Sequence, residues 1–144
     1  MLYDTVQHVP KGWELVKSAW VPRKMVSNNV LIRMRFPQRS RITREWHKEV
    51  EPAGHGKRQQ PGTLRRLLLV RVIGSGGRAY DEDNLIGGAK LLIDALVVNH
   101  WLLNDTPKHL DLAKPAQERG PHEGVAWYLM QEALEEASGP QVGT

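Results

Sequence analysis

The sequence contains no cysteine among its 144 residues. Disulfide bonds, thiolate metal sites and cysteine nucleophiles are therefore excluded, and any bound metal must take oxygen or imidazole ligands. No apolar run approaches the roughly 18 residues that a transmembrane helix needs, and the first residues lack the basic-then-apolar pattern of a secretion signal. We therefore expect a cytoplasmic protein with no membrane partner.

Several common catalytic motifs are also missing. The six histidines form no HxxxH or HxH pair, which argues against a zinc site. No GxSxG nucleophile motif is present. The glycine-rich segment 74–78 lacks the spacing of a phosphate-binding loop, so it predicts a turn. Carboxylates and basic side chains remain as the groups that carry chemistry.

The charges are distributed unevenly along the chain. The net charge is +4, but residues 1–80 hold 16 Lys and Arg against 5 Asp and Glu, whereas residues 81–144 hold 4 against 11. A basic half suits a polyanion, because Lys and Arg that meet phosphates release condensed counterions. A solvated basic surface with no such partner would show the same excess.

The first half of the chain predicts a strand, a helix, a loop and a second strand. Residues 11–26 favour a short edge strand that Pro22 interrupts, and Ser40 opens a helix. Residues 52–63 combine Gly, Pro and polar side chains, as an exposed loop does. Residues 64–73 (LRRLLLVRVI) then predict a core strand.

The second half predicts one strong helix followed by two strands. Apolar residues recur at helical spacing over residues 84–99, and residues 101–105 form a loop. Residues 108–114 and 124–130 predict two strands that pair across the GPHEG turn, and residues 131–144 end in an acidic, helix-prone tail. We expect a single α/β (α+β) domain over residues 1–144, with residues 1–26 and 131–144 peripheral.

Asp81 and Asp83 are the first candidates for a metal site. If residues 80–83 are extended, both carboxylates project to one side while Glu82 points away. Two carboxylates held this close repel each other unless a hard cation such as Mg²⁺ lies between them. The alternative is that Asp83 caps the helix that begins at Asn84. Capping by Asp83 leaves Asp81 unexplained.

Lys90 and Asp94 follow Asp83 by seven and eleven residues, so a helix places all three on one stripe. A lysine there can hold a phosphate or neutralise charge in a transition state. Lys90 and Asp94 can equally form an ordinary ion pair at i, i+4. Asp105 follows the helix and can bring a third carboxylate to the site, although a lone loop Asp is often a turn residue.

The stretch from residue 78 to 105 resembles the signature of RusA-like Holliday junction resolvases, many of which are encoded by phages and prophages. In that family an Asp-x-Asp-Asn-Leu motif leads into a helix with a Lys and an Asp-Ala-Leu, and an acidic pair follows. The matching elements here are Asp81-Glu-Asp83-Asn84-Leu85, Lys90, Asp94-Ala95-Leu96 and Asn104-Asp105. Residues 27–36 and 41–49 also resemble the phage branch. The likeness covers residues 27–130.

This resemblance implies a homodimer that nicks two strands of a four-way DNA junction symmetrically with Mg²⁺ or Mn²⁺. Asp81, Asp83 and Asp105 would be the metal ligands and Lys90 a further catalytic residue, with Asn84 and Asp94 in supporting roles. The arginines expected to contact DNA phosphates are Arg33, Arg35, Arg39, Arg41, Arg44 and Arg78.

The sequence departs from the family pattern in two places. Lys90 follows the second Asp of the motif by seven residues instead of four, which keeps it on the same helix face. Asn104 replaces the first member of the acidic pair. Two other functions fit the same features: a basic DNA-binding protein without catalysis, and a relaxed nuclease that prefers flaps or forks.

Overall fold

The computed structural model describes residues 9–54 and 57–133. Its elements are, in order, β1 (Trp13–Val21), α1 (Asn28–Arg33), α2 (Phe36–Val50), a 3-10 turn (Glu51–Ala53), β2 (Arg65–Ile73), α3 (Glu82–Val98), β3 (Leu110–Leu112), β4 (Ala116–Arg119) and β5 (Gly124–Glu132). The five strands form one mixed sheet. The predicted α+β fold, a small mixed sheet with helices, is confirmed.

Strand β2 lies at the centre of the sheet. β5 runs antiparallel along one side of it, and β1 pairs antiparallel with β5 at the edge. β3 and β4 run parallel to β2 on its other side, β3 beside the first half of the strand and β4 beside the second. The edge strand predicted within residues 11–26 and the core strand predicted over residues 64–73 are both confirmed.

The predicted pairing of residues 108–114 with residues 124–130 is wrong. The GPHEG turn joins β4 to β5, but these strands flank β2 on opposite sides and do not pair with each other. The reason is topological. Helix α3 is a crossover that returns the chain to the end of the sheet at which β2 begins, so β3 and β4 run parallel to β2.

The core lies between the sheet and the helices. Alternate residues of β5, such as Trp127, point toward the helices and meet Trp46 of α2 and Leu96 of α3 in one buried cluster. The intervening residues, such as Tyr128, pack on the other face of the sheet beside Val70. Strand β5 is therefore buried on both faces, which explains its nearly continuous apolar sequence.

Helix α2 begins at Phe36, four residues before the predicted start at Ser40. Pro37 lies in its first turn, where the fixed φ of proline suits a helix and its missing N–H costs no hydrogen bond. Ser27 caps the separate short helix α1, because its side chain accepts a hydrogen bond from the N–H of Val30 at 3.3 Å.

The loop prediction for residues 52–63 is confirmed for most of the residues that the structure describes, but Gln59 is buried. Its Nε2 donates to the carbonyls of Thr63 and His109, and its Oε1 accepts from the N–H of Leu103. A buried amide that satisfies three backbone groups ties this loop to the segment after α3. Residues 55 and 56 lie outside the described residues.

Arg65 is a second buried anchor for the same loop. Its guanidinium donates to Gln131 Oε1 and to the carbonyls of Lys57 and Trp101. Burial lowers the pKa of Arg65 from its ordinary value. A charge that is fully engaged inside the protein is unavailable to an outside partner.

The C-terminal segment does not begin with the predicted helix. Gln131 and Glu132 extend β5 instead of beginning a helix, and residues 134–144 lie outside the described residues. Residues 1–8, in the segment expected to be peripheral, also lie outside them. Across the described ranges, no helix has the length and apolarity needed to cross a membrane.

Candidate functional site

The loop before α3 is held rigidly at Tyr80. The Arg71 guanidinium is buried and lies 3.5 Å from the centre of the Tyr80 ring, and it donates to Gln117 Oε1. Gln117 also accepts from the N–H of Tyr80 and donates to its carbonyl. The Tyr80 hydroxyl donates to the carbonyl of Met25. These contacts fix the position from which Asp81 enters the helix.

Asp81 is the N-cap of α3. Its Oδ1 accepts hydrogen bonds from the backbone N–H of Asn84 at 2.9 Å and from Asn84 Nδ2 at 3.1 Å. Asp83 already lies in the first helical turn. The predicted extended segment with both carboxylates on one side is therefore wrong, and so is the assignment of the cap to Asp83. The free amides of the first turn favour a carboxylate one residue before the helix.

Asn84 connects the N-terminal end of α3 to its surroundings. Its Oδ1 accepts from the N–H of Asn29 at 2.8 Å, so it joins Asp81 to helix α1. The helices approach closely because residues 87 and 88 are glycine. An added Cβ at Gly87 would lie 2.3 Å from Cβ of Asn28 on α1, and one at Gly88 would lie 2.3 Å from the carbonyl oxygen of Val26, just before α1. The N-terminal end of α3 is thus built against α1.

The predicted polar stripe on α3 is confirmed. Asp83, Lys90 and Asp94 are all exposed, whereas the opposite face of the helix, including Leu92 and Leu96, is buried in the core. Positions seven and eleven residues apart return to nearly the same direction on a helix. The stripe can therefore contact a partner without disturbing the packing of α3.

A cleft of about 340 Å³ lies between this stripe and the chain that follows α3. It is lined by Ile86, Lys90, Ile93, Asp94, Asp105, Pro107, Leu110 and Leu112. Asp105 and Asp94 thus share one cleft with Lys90. The carboxylate that the sequence placed at the Asp81 end of the helix lies instead beside its C-terminal half.

The two carboxylates influence each other electrostatically. Partial burial raises the pKa of Asp94, and the negative charge of Asp105 raises it further, while His47 and Lys90 act in the opposite direction. Mutual repulsion between carboxylates is relieved by a proton or by a cation between them. A cation bound between Asp94 and Asp105 would therefore be favoured electrostatically.

Asn104 orders the loop that presents Asp105. Its Oδ1 accepts from the N–H of Thr106 at 3.1 Å and from the Thr106 hydroxyl at 2.6 Å. This turn is of the kind that Asn and Asp side chains commonly stabilise. Asn104 therefore stabilises this loop without adding a negative charge beside Asp105.

Two further cavities continue the cleft toward α2. The second cavity shares Asp94 and Asp105 with the cleft, and its full lining is Thr43, His47, Asp94, Val97, Val98, Asn104 and Asp105. The third shares Thr43 with the second and is lined by Phe36, Arg39, Ser40, Thr43 and Arg44. We call the three together the α2–α3 groove. Within this groove the two carboxylates line the first and second cavities, and the two arginines line the third, which adjoins the second at Thr43.

Asp81 and Asp83 do not line the α2–α3 groove. Asp83 lies one turn before Ile86, and eleven residues of helix separate it from Asp94, which is about 16 Å along the axis. Among residues 9–54 and 57–133, no group of three or more His, Asp or Glu side chains is close enough together to hold a metal ion. The structure thus brings Asp105 to Asp94, and a three-carboxylate site at Asp81 stays a prediction.

The arginines predicted to contact DNA are all exposed. None of them forms an ion pair with an acidic side chain in the described part of the chain; the acidic residues of α2, Glu45 and Glu49, contact Arg23 instead. Two of the six, Arg39 and Arg44, line the α2–α3 groove. The other four lie outside its lining, on α1, at the N-cap of α2, on α2 and in the loop before α3: Arg33, Arg35, Arg41 and Arg78.

Sequence reasoning missed His47 and Phe36. His47 lines the groove beside the two carboxylates, and its buried Nε2 atom has no hydrogen-bond partner among the described residues. Phe36, Ser40, Thr43 and His47 follow one another at the spacing of a single helix face. That spacing was visible in the sequence, but only with the helix start at Phe36.

Replacing Asp94 by asparagine is expected to stabilise the fold at neutral pH but not in acid. Because its folded pKa is raised, the protonated carboxyl stabilises the fold, and this contribution is lost as the pH rises through the folded pKa. Asparagine imitates the protonated form. Thermal melts of both proteins at a series of pH values should show a difference in Tm that disappears below pH 3.8, because 3.8 is the ordinary pKa of an aspartate side chain. An equal gain in Tm at every pH would contradict this reading.

Comparison of the chain with family models and with curated proteins found no match. The functional reading therefore depends on the residues themselves and on the geometry of the α2–α3 groove.

Proposed function

We propose that this protein is a Mg²⁺-dependent endonuclease that acts on branched DNA. The observation that carries the proposal is the α2–α3 groove, where the Asp94 and Asp105 carboxylates and Lys90 lie on the same surface as Arg39 and Arg44. Hydrolysis of a phosphodiester needs both a cation site and a surface that attracts a polyanion. In this proposal the groove supplies both.

The pair of carboxylates fits Mg²⁺ better than a structural metal. Mg²⁺ is usually held by one or two carboxylates, with water and substrate phosphate oxygens completing its shell. Asp94 and Asp105 would supply the protein ligands, and Mn²⁺ would suit the same oxygens. The bound metal would lower the pKa of a water molecule and polarise the scissile phosphate. The absence of a third grouped carboxylate among the described residues is compatible with this mode, since substrate oxygens would complete the site.

The remaining groove residues have separable roles in this proposal. Lys90 would neutralise charge that develops on the phosphoryl group, because it lines the cleft together with both carboxylate residues. Arg39 and Arg44 would bind phosphates on the approach to that cleft, since neither forms an ion pair with an acidic side chain of the described residues. The exposed arginines outside the groove would extend this electrostatic surface.

Asp81 and Asp83 enter the proposal through the resemblance to RusA-like resolvases. In that reading they bind the metal with Asp105, in a homodimer that nicks a four-way junction symmetrically in the cytoplasm of a bacterial host. Asp105 belongs to both ligand sets, that of the resemblance and that of the groove. It is therefore the residue on which the nuclease proposal depends most.

A cleavage assay tests the function directly. The purified full chain is incubated with a labelled mobile four-way junction, a flap, a fork and a linear duplex, each with Mg²⁺ and with EDTA. We expect paired, Mg²⁺-dependent nicks confined to the junction. Faster cleavage of the flap or fork would identify a relaxed nuclease instead.

A DNA-binding protein without catalysis is the second candidate. It is favoured by one observation, the absence of a three-ligand metal group in the described part of the chain. This candidate predicts tight, salt-sensitive binding that EDTA does not change, and no cleavage with Mg²⁺ or Mn²⁺. Such a result would reject the nuclease and leave the basic surface as the functional feature.

A further inference from the structure

Phe36 is the most exposed large apolar side chain among the described residues, with 81% of its surface accessible. It begins α2, and Ile32 and Val30 on the preceding helix are 62% and 49% exposed. Isolated exposed apolar side chains are normal on protein surfaces. A phenylalanine that lines a cavity while remaining this exposed has an unused aromatic face.

The surroundings of Phe36 select the chemistry of its partner. The cavity beside it has a volume of about 470 Å³ and is lined otherwise by Arg39, Ser40, Thr43 and Arg44. Both arginines lack an acidic ion-pair partner in the described residues, and no acidic side chain lines the cavity. A purely apolar partner would leave these charges unpaired. A nucleobase with its phosphates matches both features, since it offers a flat ring beside negative charge.

The position of Phe36 links it to the carboxylate pair. Phe36, Ser40, Thr43 and His47 form one stripe of α2, and His47 lines a cavity with Asp94 and Asp105. Eleven residues of helix separate Phe36 from His47, which is about 16 Å. At the rise of a duplex this corresponds to roughly five base steps, and to fewer in an extended strand. A strand that binds the carboxylates and follows this stripe of α2 would pass over Phe36.

We propose that Phe36 is a stacking platform for an unpaired base of a branched nucleic acid. Bases in an intact duplex are stacked on their neighbours, whereas a branch point offers bases whose faces are free. Phe36 would stack on such a base while Arg39 and Arg44 hold the adjoining phosphates. This inference rests on the proposed nucleic-acid substrate, but it concerns binding and does not require cleavage.

The test is metal-free binding of the full chain to a junction that carries 2-aminopurine at the branch point. Alanine substitution of a stacking aromatic typically costs 1–3 kcal/mol, so Phe36→Ala should weaken junction binding about 5- to 150-fold. Phe36→Trp should bind the junction about as tightly as the unchanged protein. Phe36→Leu should bind it weakly, because leucine keeps apolar area without a π face. Binding to a matched linear duplex should change little in all three variants.

Salt dependence provides a matched control. Phe36→Ala removes no charge, so the slope of log affinity against log salt should stay constant. Arg44→Gln removes one phosphate contact and should reduce that slope by about one unit. Quenching of 2-aminopurine fluorescence should be lost in Phe36→Ala and retained in Arg44→Gln.

Three outcomes would overturn the proposal. Junction binding by Phe36→Leu as tight as that of the unchanged protein would indicate an apolar contact without stacking. Equal weakening of junction and duplex binding by Phe36→Ala, together with conversion of a dimer to a monomer, would identify an interface between copies. Unchanged junction binding by Phe36→Ala, with normal cleavage, would reject stacking and leave the nuclease standing. A Phe36 effect on binding without cleavage in any metal would reject the nuclease alone.

Discussion

Replacing Asp105 by asparagine is expected to lower the rate of junction cleavage at least about 100-fold, while metal-free binding of the junction stays the same or tightens. Asparagine keeps the size of the side chain but removes the charge that a divalent cation requires. Asp105 lines both cavities that contain Asp94, so no neighbouring group replaces it as the second carboxylate of the pair. Single-turnover cleavage with saturating enzyme measures the effect without interference from product release.

Cleavage rates of a panel of Asp→Asn variants would show which carboxylates bind the metal. If it lies in the α2–α3 groove, Asp94→Asn should be nearly as inactive as Asp105→Asn, and Asp83→Asn should retain more activity. The reverse order would locate the metal at the N-terminal end of α3, as the resemblance implies. Glu118→Gln is the matched control, because Glu118 is exposed on β4 and does not line the groove. Full activity of Asp105→Asn would reject both placements.

Gly88→Ala is expected to destabilise the protein by roughly 1–3 kcal/mol, as overpacked sites do. Helix propensity alone predicts the opposite sign, since alanine stabilises a helix interior by about 1 kcal/mol relative to glycine. Here the added Cβ would lie 2.3 Å from the Val26 carbonyl oxygen, and backbone cannot rotate away as a side chain can. Urea unfolding followed by circular dichroism measures the change.

Val98→Ala is the control for this experiment. Val98 is 52% exposed in the last turn of the same helix, so its substitution changes propensity without creating a clash. We expect it to be neutral or slightly stabilising. If Gly88→Ala were also stabilising, α3 would not be in close contact with the Val26 carbonyl.

Local signals in the sequence were sufficient for several elements. The apolar repeat over residues 84–99 predicted α3, which spans Glu82–Val98, and the apolar run after residue 63 predicted the central strand β2. The polar stripe of Asp83, Lys90 and Asp94 followed from helix geometry alone. These features depend on neighbours within two or three turns, which a sequence displays directly.

Charge counting was less reliable because it treats all charges as exposed. The basic excess of residues 1–80 includes Arg65 and Arg71, which are buried and hydrogen-bonded inside the protein. It also includes Arg23 and Arg66, which contact acidic side chains. The unpaired basic surface is therefore smaller than the count suggests, and its densest part is α2, which carries Arg39, Arg41, Arg44 and Lys48.

The sequence by itself determined the secondary structure of the central elements. It also determined which side chains are available for chemistry: carboxylates, lysine and arginine are present, and cysteine is absent. Only the tertiary structure decided which of them meet. The parallel return of the chain after α3 placed Asp105 beside Asp94 and away from Asp81, and the packing of α2 against α3 brought His47 and Thr43 to the same groove. Contacts between residues distant in sequence depend on strand order and helix packing, and local periodicity carries no information about either.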